Sequence, residues 1–287
     1  MDTIFADLHV HTKYSDGTFS SEESVIYAQK VGLAAISITD HDTTDGISAA
    51  IKESLTRKIE VIPGIELSAE LKNSHQQEMH ILGYFINWED CSFQQKLKLL
   101  RDEREKRAHR ILDKLKSLGI ELEEQRLFEI AGVGAIGRPH FAKMLVEKKV
   151  VPNTYEAFWK YLGEGKPAYV PKFRLTSDEA IKMISQVDGI PVLAHPNLNN
   201  ISCDTIKSLV DSGLKGIEVW HRKYSPDETN KLKQMAKKFG MIATGGSDCH
   251  GTMNNEQPIM GTVKVPYSAV QELKKCKNNL DKNHHCL

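Results

Sequence analysis

The chain has 287 residues, 40% of them hydrophobic, and its 38 Lys and Arg residues balance 38 Asp and Glu residues. A chain of this length can bury a large core, as one α/β domain or as one domain with an insertion. Basic and acidic residues alternate in runs such as 101–107, which is typical of a solvated helix face. The charge pattern therefore disfavours binding to long duplex nucleic acid.

The five cysteines include no Cys-X-X-Cys pair, and their number is odd. This pattern predicts neither a disulfide framework nor a structural zinc site. The first residues lack the basic and apolar regions of a secretory signal, and no stretch approaches the roughly 18 apolar residues of a membrane span. We therefore expect a soluble, cytoplasmic protein with no membrane partner.

Short apolar runs, each a predicted strand, alternate with helical patterns along the chain. In the first part, strands are predicted at 4–8, 34–38, 59–62 and 80–85, and helices at 21–31 and 43–57. In the last part, helices are predicted at 177–186, 203–212 and 227–239, and strands at 191–194, 216–220 and 242–244. Such alternation predicts a mostly parallel sheet, either closed into a barrel or open, with active residues at the carboxyl ends of its strands.

Between these two parts the alternation stops. Helical spacing at 94–118, 123–131 and 139–149 has no strand between the helices. This predicts an inserted helical domain at 92–165 within a barrel domain made of 1–91 and 166–287. Its position between two strand ends suits a lid over the site, and a packing appendage is an equally good interpretation.

His9 and His11 lie two residues apart on the first predicted strand. Positions i and i+2 of a strand face the same side, about 6.5 Å apart, so both imidazoles can enter one pocket. Alone, a His-X-His motif is a weak indication of metal binding. Further His, Asp and Glu residues occur at or near the ends of other apolar runs, where strand ends converge. The candidate metal ligands are His9, His11, Asp16, His41, Glu66, His80, His195, Asp248 and His250.

Six imidazoles and three carboxylates are too many for one catalytic zinc, which uses about three protein ligands and a water. We therefore expect two or three divalent ions, and the mixed ligands suit manganese, iron or zinc without choosing among them. Three ions and three carboxylates leave a surplus of about three positive charges, which a phosphate dianion and a hydroxide would balance. Phosphoester hydrolysis by attack of a metal-held hydroxide is the predicted chemistry.

Two other classes of function stay open. Dinuclear amidohydrolases also carry His-X-His on the first strand, but they often use a carboxylated Lys as the bridging ligand. Here Glu66 stands where a bridge is needed, and Asp248 is paired with His250. This disfavours amide hydrolysis, and the full set of ligands disfavours a metal-binding module without turnover.

Six segments together resemble the PHP family, named for its polymerase and histidinol phosphatase domains. They are residues 7–12, 15–17, 39–42, 64–66, 194–196 and 246–250. The resemblance implies a distorted (β/α)7 TIM-like barrel with a trinuclear site. It assigns one metal to His9, His11, Glu66 and Asp248, a second to Glu66, His80 and His195, and the third to Asp16, His41 and His250.

Segments 137–142, 161–163 and 167–171 are similar to a subgroup of bacterial PHP phosphoesterases with a helical insertion. The subgroup includes nucleoside 3',5'-bisphosphate phosphatases and 5'-to-3' exonucleases acting on short RNA. The resemblance thus implies hydrolysis of a terminal phosphate from a small nucleotide or short oligonucleotide. Alternatives are a histidinol phosphate phosphatase, another small-molecule phosphatase, or an amidohydrolase.

Individual roles follow from this chemistry. His195, Glu66 and Asp248 are the predicted catalytic residues, with His195 as proton donor to the leaving oxygen. Arg138 offers a planar bidentate donor for phosphate and Lys172 a point charge, so both are predicted substrate contacts. The alternatives are a salt bridge at a helix start for Arg138 and a surface loop for Lys172.

Two more residues are predicted to assist the ligands. Asp40 is adjacent to His41, and we expect it to orient an imidazole. Tyr224 stands where family members often have a His. His221 could replace that His, and a position at the surface or behind the ligands is an equally good interpretation.

Overall fold

Two compact units make up the chain. The computed structural model describes residues 4–71, 78–132, 134, 136–199, 201–252 and 257–284. One unit consists of Met1–Gln94 with Arg174–Leu287, and the other of Gln95–Phe173. Of the helices in these described ranges, none is both long and apolar enough to cross a membrane.

The strands all belong to the first unit. In chain order they are β1 (Phe5–Val10), β2 (Ala35–Ile38), β3 (Glu60–Glu70), β4 (Glu78–Tyr84), β5 (Leu175–Thr176), β6 (Ile190–Leu193), β7 (Gly216–His221), β8 (Ile242–Gly246) and β9 (Val265–Pro266).

The helices follow the predicted order, with short irregular turns after α6 and β6. They are α1 (Ser21–Lys30), α2 (Ile47–Arg57), α3 (Cys91–Ser117), α4 (Glu124–Ala131), α5 (Arg138–Glu147), α6 (Thr154–Ala157), α7 (Ser177–Ser185), α8 (Cys203–Asp211), α9 (Pro226–Lys238) and α10 (Ser268–His284). A π-helical turn spans Phe158–Leu162, and a 3₁₀ turn spans Pro196–Asn199.

The sheet has the strand order β8-β7-β6-β4-β3-β2-β1-β9, and β5 pairs with β3. Neighbours are parallel from β1 to β3 and from β6 to β8, whereas β4 is antiparallel to both β3 and β6. The chain after β8 returns to β1, where the His11 N–H donates to the Cys249 carbonyl at 2.9 Å. The sheet is therefore a nearly closed barrel, as predicted. It departs from a regular parallel barrel at β4, which is antiparallel to both of its neighbours.

Helix starts are fixed by local hydrogen bonds. Before α1, α7 and α9, a Ser or Thr accepts a backbone N–H three residues later, and the Glu at that position accepts the N–H of the Ser or Thr. This reciprocal capping box satisfies amide groups that the helix itself cannot pair.

Apolar packing places the helices around the sheet. One buried cluster joins the strands to α10 through residues such as Leu8, Tyr84, Val192, Val270 and Leu273. A second cluster joins β1 and β2 to α1 and α2 and contains Val10, Val25, Ile36, Ala50 and Cys249. Cys249 thus lies on an apolar side, and the four described cysteines are free thiols.

The second unit has a hydrophobic core of its own. The C-terminal part of α3, together with α4, α5 and α6, contributes to it. Its buried residues include Ile111, Leu115, Leu127, Phe141 and Leu145. Among its described residues this unit is helical and contains no strand.

Two predictions about the sheet were wrong. The third strand was expected to end at residue 62, because Pro63 and Gly64 are typical of a strand end, but β3 continues to Glu70. Active residues were expected at the carboxyl ends of the strands, yet His80, the first residue of the predicted strand 80–85, lies near the start of β4. Since β4 runs antiparallel, its start reaches the same edge of the barrel as the carboxyl ends of its neighbours.

Candidate metal centre

The carboxylate of Glu66 lies at the centre of the site. Its Oε2 atom is 3.2 Å from His9 Nε2, 3.1 Å from His11 Nε2 and 3.1 Å from His41 Nδ1. Glu66 is 1% exposed. A buried carboxylate surrounded on one side by three imidazole nitrogens is the arrangement expected of a bridging ligand.

The other oxygen of Glu66 faces two further imidazoles. Its Oε1 atom is 2.9 Å from His80 Nδ1 and 3.1 Å from His195 Nε2. His80 reaches it because Ser68 and His80 are paired across the β3–β4 hairpin, two residues from Glu66 on the same face. His195 directly follows Ala194 at the end of β6, with a left-handed φ of 28°.

Main-chain pairing beyond the named strands positions His41. Residues 41 and 66 form a parallel bridge, with the Asp42 N–H donating to the Glu66 carbonyl at 3.0 Å. The Glu66 N–H in turn donates to the Asp40 carbonyl at 3.2 Å. The end of β2 is therefore held beside the middle of β3, and His41 lies against Glu66.

Barrel closure brings Asp248 to the first strand. Its Oδ1 atom is 3.6 Å from His9 Nε2 and 3.4 Å from His11 Nε2, while these two Nε2 atoms are 3.1 Å apart. Gly246 permits the close approach of the end of β8 to His9, because a Cβ added at Gly246 would lie 2.5 Å from the His9 backbone nitrogen. Asp248 has a left-handed φ of 57°, an uncommon conformation that aspartate tolerates better than most residues.

A third group forms at the outer side of His11. Asp16 Oδ1 is 3.3 Å from His250 Nε2, and Asp16 Oδ2 is 3.8 Å from His41 Nε2. The His250 ring stacks on the His11 ring, with centroids 4.4 Å apart. Donor atoms of His11, Asp16, His41 and His250 are close enough together to hold one ion.

Several of these buried atoms lack hydrogen bonds. Glu66 Oε2 and His41 Nδ1 are 3.1 Å apart, yet neither has a hydrogen-bond partner in the described part of the chain. Buried polar atoms are normally satisfied. Donor atoms that converge without a hydrogen bond between them suit a bound cation, so the donor set fits divalent metal ions.

Burial and neighbouring charges shift the pKa values of the donors in opposite directions. Burial opposes ionisation of Glu66, but the imidazoles of His41, His9 and His80 hold its pKa well below the usual range. Burial lowers the pKa of His41 to about 3. Burial also opposes protonation of His11, but the carboxylates of Asp248 and Glu66 raise its pKa to about 10.

Asp40 does not orient an imidazole directly, contrary to the prediction. Its Oδ1 accepts the Thr12 N–H at 2.7 Å and the Ser15 hydroxyl at 2.6 Å, and its Oδ2 accepts the Thr12 hydroxyl. The Ser15 hydroxyl in turn lies 3.5 Å from His11 Nδ1. Asp40 therefore holds the loop that carries Asp16, and its connection to His11 passes through Ser15.

Glu218 on β7 was not predicted as a site residue. Its side chain is fully buried and contacts His9 and the main chain of His195. A charged residue in the middle of an apolar strand was the available signal, since 216–220 otherwise reads as core.

His221 is buried at the same site. A register shift in β7 between Glu218 and Trp220 interrupts the alternation of side chains. As a result Glu218 and His221 are both buried beside the ligands, with His221 Nε2 3.8 Å from Asp248 Oδ2. The predicted replacement for the missing family His thus lies next to the metal centre.

Arg138 and Lys172 both belong to the second unit. Arg138 is the first residue of α5, where its Nη1 donates to the Leu162 carbonyl at 3.2 Å. Its guanidinium lies 5.7 Å from the Phe158 ring centre and 5.5 Å from that of Tyr169. Contact of either residue with phosphate stays a prediction.

The fold and the site place this chain in the class of barrel proteins whose strand ends carry His, Asp and Glu clusters able to hold metal ions. Residues 7–112 match the PHP domain. The 5'-3' exoribonuclease Rnm of Salmonella typhimurium is 34% identical over 87% of this chain and 87% of its own length. The chain belongs to the PHP family, and the predicted enzyme class, a phosphoric ester hydrolase, is confirmed.

Two more relatives share nearly the whole chain. A 3',5'-nucleoside bisphosphate phosphatase of Chromobacterium violaceum is 29% identical over 91% of this chain and 92% of its own length. The crystal structure of a protein from Bifidobacterium adolescentis, described as a metal-dependent phosphoesterase, superimposes with a TM-score of 0.81. It is 27% identical, and the match covers 94% of this chain and 96% of that one.

Proposed function

We propose that this enzyme removes a terminal phosphate from a small nucleotide, such as a nucleoside 3',5'-bisphosphate, or from the end of a short oligonucleotide. Relatives named 3',5'-nucleoside bisphosphate phosphatase and 5'-3' exoribonuclease, which act on phosphate esters of nucleotides or RNA, align over most of the chain. The observation that carries the proposal is the position of Glu66, whose two oxygens lie within 3.2 Å of five imidazole nitrogens.

Three divalent ions are the proposed complement. The first would be held by His9, His11, Glu66 and Asp248, the second by Glu66, His80 and His195, and the third by Asp16, His41 and His250. Short distances within each set support this division. His41 lies between two of the sets, with Nδ1 3.1 Å from Glu66 Oε2 and Nε2 3.8 Å from Asp16 Oδ2. When bound, such ions lower the pKa of water and stabilise the charge of a phosphoryl group during displacement.

The ionised carboxylates of the site set how much positive charge is left to bind an anion. Glu66 is held ionised by its imidazole neighbours, and the pKa of Asp248 and that of Asp16 are both lowered, although burial opposes their ionisation. Three carboxylates offset only part of the charge that three divalent ions would bring. The remaining positive charge would bind and orient a phosphate dianion.

Proton transfer and substrate anchoring are the finer parts of the proposal. His195 points Nε2 at Glu66, and its Nδ1 atom is buried with no hydrogen-bond partner within the described residues. We propose His195 as proton donor to the leaving oxygen, with Glu66 and Asp248 as the other catalytic residues. Arg138 and Lys172 are proposed to bind the substrate's phosphate.

The test measures phosphate release by the metal-loaded enzyme from adenosine 3',5'-bisphosphate, from 5'-phosphorylated short RNA and from histidinol phosphate, and ring opening of dihydroorotate as the amide substrate. We expect turnover of the first or second substrate. Turnover of histidinol phosphate alone would favour the small-molecule phosphatase, and turnover of dihydroorotate alone would overturn the phosphoesterase proposal.

A further inference from the structure

Glu218 contacts two candidate ligands that come from different strands. Its Oε1 atom lies 3.1 Å from His9 Nδ1, and its Oε2 accepts the backbone N–H of His195 at 2.8 Å. Glu218 is fully buried. Both of its oxygens are therefore committed to groups that belong to the metal centre.

The contact with His9 fixes which ring nitrogen carries a proton. A carboxylate oxygen accepts hydrogen bonds, so this contact assigns the N–H of His9 to Nδ1. The lone pair of neutral His9 is then at Nε2, the atom that lies 3.2 Å from Glu66 Oε2. Glu218 thus aims the ligating nitrogen of His9 at the bridging carboxylate.

The contact with His195 holds an uncommon backbone conformation. His195 has a φ of 28°, in the left-handed region that residues other than glycine rarely adopt. Such a conformation persists only where the surroundings enforce it. The hydrogen bond from the His195 N–H to Glu218 is one such constraint, and it directs the imidazole toward Glu66 Oε1.

We propose that Glu218 is a positioning residue that presets two of the proposed ion sites at once, through the His9 tautomer and the His195 main chain. This inference rests on the proposed function, because it requires that the centre binds metal. Glu218 acts through His9 and His195 and is not a ligand in the proposed sets.

Glutamine cannot replace both contacts of Glu218. Its side chain has one acceptor oxygen and one NH₂ donor, whereas His9 and His195 both present N–H groups. If the oxygen accepts from His195, the NH₂ faces His9 Nδ1 and favours the tautomer with the proton on Nε2. If the oxygen accepts from His9, two donors face each other at His195. Either arrangement disturbs one of the two ion sites.

Zinc titration of the purified full chain tests the inference, with wild type, Glu218→Gln and Glu60→Gln compared by calorimetry and by elemental analysis. Glu60 is a matched control because its carboxylate also accepts two hydrogen bonds, which reach its Oε2 from the Tyr267 hydroxyl at 2.7 Å and from Lys274 Nζ at 2.8 Å. We expect Glu218→Gln to weaken zinc binding about 10- to 100-fold. Glu60→Gln should bind zinc as wild type does.

A folded Glu218→Gln protein that binds zinc with wild-type affinity and stoichiometry would overturn the inference and leave the proposed function standing. If the wild type binds none of zinc, manganese and ferrous iron in the same titration, both the inference and the proposed function are overturned. If Glu218→Gln does not fold, nitrogen-15 NMR of the zinc-loaded wild type decides, with the His9 signals assigned by their loss in His9→Gln. Coordination through Nε2 with a proton on Nδ1 supports the inference, and coordination through Nδ1 overturns it.

Discussion

Glu66 Oε2 and His11 Nε2 lie 3.1 Å apart, and Glu66 Oε2 has no hydrogen-bond partner among the described residues. The same oxygen meets the nitrogens of His9 and His41 at nearly the same distance. A single buried oxygen equidistant from three nitrogens is better explained by shared cations than by any one hydrogen bond.

Replacing Glu66 should therefore remove more than one ligand contact. We expect Glu66→Gln to lower the metal content by at least one ion per chain. We also expect it to lower the rate of phosphate release on the order of 10³-fold. Glu70→Gln is the matched control, because Glu70 ends the same strand and lies 4.0 Å from Arg174. Full metal content and activity in Glu66→Gln would contradict the bridging role.

Metal loading should stabilise the fold, since an ion that binds only the folded state adds free energy. At a free metal concentration about 100 times Kd, the gain is about 2.7 kcal/mol. For a chain of this size we expect a rise in Tm of about 5–10 °C. Differential scanning calorimetry with manganese, zinc or chelator measures it, and identical Tm values in all three would count against a resident metal.

Gly246→Ala should weaken the junction between β8 and β1. An added Cβ would lie 2.5 Å from the His9 nitrogen and 2.9 Å from the His9 Cα. Overpacking of this kind destabilises by about 1–3 kcal/mol, and displacement of His9 should also weaken metal binding. Urea unfolding and zinc titration measure both effects. Gly137→Ala is the control, because its added Cβ would meet only the Pro139 Cδ at 3.4 Å, and unchanged zinc binding is expected there.

A pH dependence is expected at Glu60, on the side of the sheet near α10. Its hydrogen bonds raise the pKa of Lys274 and the pKa of Tyr267. Both folded groups hold their protons more tightly than the unfolded chain does, so this stabilisation is present at neutral pH and is lost as the pH rises above about 10. The free energy of unfolding should fall more steeply in that range for wild type than for Glu60→Gln. Equal slopes would show that the cluster contributes nothing.

Arg138→Lys separates a substrate contact from a packing role. Lysine keeps the charge but loses the planar bidentate donor, so we expect KM to rise about tenfold with kcat nearly unchanged. A lowered Tm with unchanged KM would instead assign Arg138 to its contacts with Phe158 and Tyr169.

Most of the barrel strands and helices could be predicted within a few residues, because apolar periodicity reports burial directly. The exceptions are β3, which extends eight residues past its predicted end, and β5, β9, α6 and α10, which were not predicted. The sequence did not reveal the β3–β4 hairpin. With β3 expected to end at residue 62, the gap before the next strand left room for a crossover. The observed gap between Glu70 and Glu78 is too short for a parallel connection, which needs about a dozen residues or more.

The nine candidate ligands could be proposed from short motifs, since donors near strand ends stand out against apolar runs. Glu218 and His221 could not be placed in this way. Glu218 is 209 residues from His9, and no local spacing links the two. The burial of His221 beside Asp248 depends on the register shift in β7, which alternation along the strand does not predict.

The two halves of the metal centre differ in how far apart their residues lie along the chain. Glu66 and His80 share one hairpin, so their approach requires closing only a short loop. His9 and Asp248 meet only where the end of the chain returns to the first strand. Contacts between distant segments form late in folding. An ion held by His9 and Asp248 would therefore link β1 to the residues that follow β8, where the barrel closes. Binding of this ion would require that folding is complete.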